Sequence, residues 1–66
     1  MVSIHLNGER RTMAAADVTQ LVAELEMDPR TVLIEHNGQA LHRHEWSQAI
    51  LAEDDCIEIL RVVAGG

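Results

Sequence analysis

Aromatic side chains are nearly missing from this chain, which has no phenylalanine or tyrosine and a single tryptophan, Trp46. Lone Trp46 reads as a core anchor rather than as part of a ligand platform. Cysteine is limited to Cys56, which excludes an intrachain disulfide and a cysteine-based zinc site. Cys56 is expected to pack within a strand; as a persulfide acceptor it would need a neighbour that lowers its thiol pKa, and the sequence offers only distant histidines. Basic residues number 5 against 11 acidic ones, a formal net charge of −6. That balance argues against nucleic-acid phosphates and anionic membranes as partners, since both demand clustered Lys and Arg. It suits a protein partner with a basic docking surface, although acidity also serves to keep a small protein soluble. No apolar run is longer than that from Met13 to Ala16, far short of the ~20 residues that span a bilayer. The first residues alternate polar and apolar from Val2 onward and lack the basic start and long apolar stretch of a signal peptide. A cytoplasmic location is expected.

What is present is enough for one small core. The 66 residues are 47% apolar, so a compact domain near the lower size limit for unaided folding is expected. Little room remains for an enclosed active site, and such a chain serves more readily as a partner of enzymes than as an enzyme.

Val2, Ile4 and Leu6 alternate with Ser3 and His5, the period of a half-buried strand. Asn7-Gly8 follows, a strong signal for a type I′ hairpin turn. The return run, Glu9 to Met13, is polar enough for an edge strand. Val18, Leu21, Val22 and Leu25 then fall on one helical stripe. Asp17 is placed to cap that helix, with Gln20 completing an approximate capping box. Asp28-Pro29 is expected to stop the helix after about ten residues, because the residue before proline avoids the α region. Thr31 to Glu35 reads as a strand, Asn37-Gly38 as a second tight turn, and Gln39 to Leu41 as a short return strand. Arg43 to Leu51 suits a short helix or 3₁₀ turn with Trp46, Ala49 and Ile50 facing inward. Asp54-Asp55 reads as a turn, and Cys56 to Val63 as the last strand. The order is β-β-α-β-β-β, an α+β domain over 1–63 followed by a flexible tail, 64–66. One helix covers only one face of such a sheet. Ile57 and Ile59 should meet it, leaving Glu58, Leu60 and Val62 on the open face.

The tail, Ala64-Gly65-Gly66, is the candidate functional part. A chance glycine pair at a given place occurs about once in two hundred chains, and a strand end requires none. Without Cβ atoms the pair can thread a narrow groove and take backbone angles closed to other residues. Five extended residues reach ~16–18 Å, enough to deliver a carboxylate into a partner's active site while the domain docks outside. A carboxylate is ionised at pH 7 and a poor electrophile, so it needs activation, for example as an acyl-adenylate, before a sulfur or amine nucleophile attacks.

The strand order with a Gly-Gly tail resembles the ubiquitin-like β-grasp superfamily, a mixed sheet of four to five strands with one main helix across one face. Within it, the Asn-Gly turn after the first strand, "EHNGQALHRHEW" from Glu35 to Trp46 and "EDDCIEILRVVAGG" from Glu53 to Gly66 resemble the thiamine-biosynthesis sulfur carriers, the ThiS family. The resemblance spans essentially the whole chain. His42 departs from it, since such carriers often have proline before the arginine. The resemblance implies that an E1-like adenylyltransferase, using ATP and magnesium, adenylates Gly66. A cysteine desulfurase or rhodanese-type persulfide then supplies sulfur, and thiazole synthase consumes the resulting thiocarboxylate. No cofactor is implied for the carrier itself.

Other readings remain open. His42, His44, Glu45 and His36 have the residue types of a metal site but no ligand-spacing motif, and are read as solvated, with no metal bound. Leu60 and Val62 form a possible docking patch, unless a loop covers them. A molybdopterin-synthase small subunit also ends in Gly-Gly, but such chains are longer and richer in aromatics. A lysine-linked protein modifier is a further possibility, as is a β-grasp binding module without carrier chemistry.

Overall fold

A computed structural model gives the fold and describes residues 1–62. The elements are β1 (Val2–Leu6), β2 (Glu9–Met13), α1 (Val18–Glu24), a 3₁₀ turn (Pro29–Thr31), β3 (Val32–His36), β4 (Gln39–Leu41), a second 3₁₀ segment (Arg43–Gln48) and β5 (Cys56–Arg61). The strands form one mixed sheet ordered β2-β1-β5-β3-β4. Its central pair, β1 and β5, is parallel, and the other neighbours are antiparallel. The element order is the one the residue pattern predicts, and the sheet is the β-grasp arrangement that the resemblance implies, with five strands.

Both hairpins close as their Asn-Gly pairs require, with positive φ at Asn7, Gly8, Asn37 and Gly38, the conformation of a type I′ turn. The asparagine side chains do more than turn the chain. Asn7 accepts from Ile59 N at 2.7 Å and donates to Ile59 O at 3.1 Å, while Asn37 accepts from Cys56 N at 2.8 Å. The two side chains thus clip onto β5 from opposite sides, which matters because β1 itself registers on β5 only at Cys56 and Ile57.

Helix α1 begins as anticipated: Asp17 Oδ1 accepts from Gln20 N at 2.8 Å, and Gln20 Oε1 reaches back to Ala16 N at 2.9 Å. Its end differs. The helix has 7 residues and closes before Pro29 through a backbone motif in which Glu26 N donates to Ala23 O and Met27 N to Val22 O. Glu26 takes the left-handed conformation, φ 57°, which a Schellman cap demands and glycine ordinarily supplies. Asp28 and Pro29 instead start the first 3₁₀ turn, with Asp28 Oδ1 accepting from Arg30 N at 2.9 Å.

The core joins Ile4, Leu6, Met13, Val18, Leu21, Val22, Val32, Ile34, Trp46, Leu51, Ile57 and Ile59 between the helix and one sheet face. Trp46 is buried as expected, though its indole Nε1 has no hydrogen-bond partner among the described residues. Ile50 is 63% exposed, contrary to the inward orientation expected, and Leu51 takes the buried place. The reason is backbone geometry. The 3₁₀ segment ends before Ala49, and the chain there is extended, with Ile50 bridging Asp17 and Leu51 N donating to Ala16 O. Extended chain alternates its side chains, so Ile50 points out when Leu51 points in. Among the described residues no helix is long and apolar enough to cross a membrane.

Candidate functional site

The candidate site that the described residues contain is the end of β5 and the open face beside it. Ile57 and Ile59 are buried against the helix side, and the alternate residues Cys56, Glu58 and Leu60 are exposed. Cys56 is therefore a free, exposed thiol and does not fill the core as anticipated; strand parity puts it with Glu58 and Leu60 on the face that no helix covers.

Leu60 is 54% and Val62 39% exposed, so no loop among the described residues covers them. Leu33 joins them at 56% exposure, directly across the β3–β5 ladder from Leu60. The sequence signal for Leu33 was its place between inward Val32 and Ile34, in a run apolar enough to hide the alternation. Beyond Ile59, β5 is registered on β3 alone, and Val62 N donates to Thr31 O at 2.7 Å. Beside Val62 lies a shallow groove whose lining includes Arg30, Leu33, Leu41, Arg43 and Trp46. Ala64, Gly65 and Gly66 lie outside the described residues.

The histidines do not converge. His42 and His44 stack with ring centroids 5.5 Å apart, whereas His36 faces Asp55, Nε2 to Oδ2 at 2.8 Å. Among the described residues no three His, Cys, Asp or Glu side chains are grouped to hold a metal ion. The His36 contact is instead a strut at the opposite end of β5. Asp55 also accepts from Ala52 N at 2.9 Å and Asn37 Nδ2 at 3.1 Å. An ionised carboxylate only accepts, so Nε2 of His36 carries the proton in this contact.

Burial, the largest influence on Asp55, opposes its ionisation, but hydrogen bonds from His36, Ala52 N and Asn37 together hold the carboxyl below its ordinary value. A depressed carboxyl pKa stabilises the fold above the unfolded value and loses that contribution as pH falls through the folded one. The urea midpoint should therefore drop on acidification below about pH 4. The midpoints of wild type and Asp55→Asn should converge there. Parallel pH profiles for the two proteins would remove Asp55 from the acid limb.

The ThiS family model matches residues 4–66. The chain belongs to the ThiS family. The crystal structure of the ThiS thiamine biosynthesis protein from Geobacter metallireducens superposes with a TM-score of 0.82 at 28% identity, covering 98% of this chain and 100% of that one. A solution structure of a thiamine biosynthesis protein from the same organism gives 0.79 at 28% identity, covering 98% and 88%. Two curated relatives are named thiazole synthase. The Magnetococcus marinus protein is 33% identical over 66 residues, 98% of this chain and 20% of that protein. The Paramagnetospirillum magneticum protein is 32% identical over 62 residues, 92% and 19%. The chain thus spans about a fifth of the length of these relatives. The family match runs through Gly65 and Gly66.

Proposed function

We propose that this ThiS-family chain is a sulfur carrier of thiamine biosynthesis, a co-substrate rather than an enzyme, whose reactive group is the carboxylate of Gly66. An E1-like adenylyltransferase, with ATP and magnesium, joins that carboxylate to AMP and releases pyrophosphate. The terminal sulfur of a persulfide donor attacks the acyl-adenylate and displaces AMP, leaving an acyl disulfide. A thiol reductant cleaves its S–S bond to release the thiocarboxylate, which gives its sulfur to thiazole synthase. The observation that carries this reading is the family match extending through Gly65 and Gly66. The resemblance of the chain to one segment of proteins named thiazole synthase supports the same pathway. Mass analysis of the chain after incubation with ATP, an E1-like enzyme and a sulfur donor tests it, because oxygen is exchanged for sulfur at Gly66.

The body serves docking and the tail serves chemistry. Leu60 and Val62, exposed at the end of β5, are proposed to bury against the activating enzyme while Ala64 and Gly65 pass into its active site. Each aliphatic side chain taken from water contributes about 1.5–3 kcal/mol, so losing two weakens binding roughly a hundredfold or more. Leu60→Ser/Val62→Ser should therefore raise the KM for carrier with kcat at saturating carrier retained, since neither residue touches the reacting carboxylate. Circular dichroism should show a folded protein. A folded variant with the wild-type KM would move the docking surface elsewhere.

A further inference from the structure

The open face contains one arrangement that works against the fold. Glu35 on β3 and Glu58 on β5 are direct cross-strand partners, and both are exposed. Directly opposed antiparallel residues have Cβ atoms about 4.5–5.5 Å apart, where like charges destabilise a sheet. The arginines that form ion pairs are occupied elsewhere: Arg10 by Glu53 and Asp54 near β2, and Arg30 by Asp28. Neither Glu35 nor Glu58 has an ion pair among the described residues. The next pair along the same ladder and face is Leu33 with Leu60, followed by Val62.

We propose that this uncovered face is a composite docking surface for the activating enzyme, with a lysine or arginine of that enzyme seated over the Glu35–Glu58 pair and an apolar patch against Leu33, Leu60 and Val62. The inference rests on the carrier reading above and adds the charge that the partner must present. Charge complementarity names the occupant: a chain of net charge −6 holding two unneutralised carboxylates beside an apolar patch fits a basic and apolar counter-surface. The chemistry points the same way. An enzyme that adenylates a carboxylate must hold the polyphosphate of ATP with cationic groups, and the carrier's tail has to approach that pocket. The repulsion between Glu35 and Glu58 is relieved only in the complex, so the face is tuned for binding at the expense of the free fold.

The test compares wild type with Glu35→Gln/Glu58→Gln, using the E1-like enzyme that adenylates the wild-type carrier. The double variant should melt at or above the wild-type temperature, because the repulsion is gone. Its KM as carrier should rise roughly tenfold or more while kcat is unchanged, and its KM should vary less steeply with salt than that of wild type. Glu58→Lys, which places opposite charges across the ladder, should be more stable still and bind as poorly. Zero-length carbodiimide coupling adds a direct readout: all five basic residues are arginines, so carboxylate-to-lysine links must reach the partner, and Glu35 or Glu58 should carry them. A wild-type KM and salt dependence in the double variant overturns the proposal, as does a defect confined to thiazole synthase. Wild-type protein that gains no sulfur overturns the carrier reading itself, whereas wild type that gains sulfur beside an unimpaired double variant overturns only the acidic docking site.

Discussion

Deleting Gly66, or appending one residue after it, should abolish thiocarboxylate formation while leaving the melting temperature within about two degrees of wild type. The described core runs from Ile4 to Ile59, and β5 is held on β3 through Arg61. Truncating the last glycine removes none of those contacts. The chemistry is affected completely, because it takes place at a single carboxylate. Deletion shortens the reach by about 3.3–3.6 Å, and a reacting group displaced even about 1 Å from its attack geometry can lose a hundredfold in rate. Extension converts the acceptor carboxylate into an amide that cannot be adenylated. The two variants therefore fail for different reasons, and both failures lie in the chemistry, whereas Leu60→Ser/Val62→Ser and Glu35→Gln/Glu58→Gln should fail in affinity. An extended variant that still forms thiocarboxylate without being trimmed would remove Gly66 from the mechanism.

Leu21→Ala or Ile59→Ala should each destabilise the domain by roughly 2–5 kcal/mol, the transfer loss plus the cavity left behind. Leu21 has no exposed surface and Ile59 retains 6%. They lie on the two layers that make up the core, α1 and β5. A domain of this size has few kcal/mol in reserve, so either change is large enough to unfold most of the population at 37 °C. Chemical denaturation of both variants measures the effect. Midpoints equal to wild type would mean that the helix does not lie on the face containing Ile59.

The features readable from sequence were those set by local backbone chemistry and strict periodicity. Val2, Ile4 and Leu6 gave β1, the two Asn-Gly pairs gave the hairpins, and Val18, Leu21 and Val22 gave the buried stripe of α1. Parity along β5 gave the exposure of Leu60 and Val62. What stayed hidden depends on partners distant in sequence or on unusual backbone. Nothing local marks Glu26 for a left-handed cap, and the first local stop signal is Pro29, a few residues late. The phase of the segment after Trp46 is decided by pairing of Ile50 with Asp17, more than thirty positions away. That is why Ile50 and Leu51 exchange places. Cys56 has the apolar character of a core residue but shares the outward parity of Leu60. The clipping of β5 by Asn7 and Asn37, and the opposition of Glu35 to Glu58, both require the register between strands to be known.

The central claim is that Gly66 carries sulfur, and intact-mass spectrometry addresses it most directly. The wild-type chain should be incubated with ATP, magnesium, an E1-like adenylyltransferase, a persulfide donor and a thiol reductant, then compared with the same mixture lacking ATP. The account predicts an ATP-dependent gain equal to the mass of sulfur minus oxygen, placed on Gly66 by fragmentation and discharged on adding thiazole synthase with its substrates. An unchanged mass, or a modification placed anywhere other than Gly66, would contradict it.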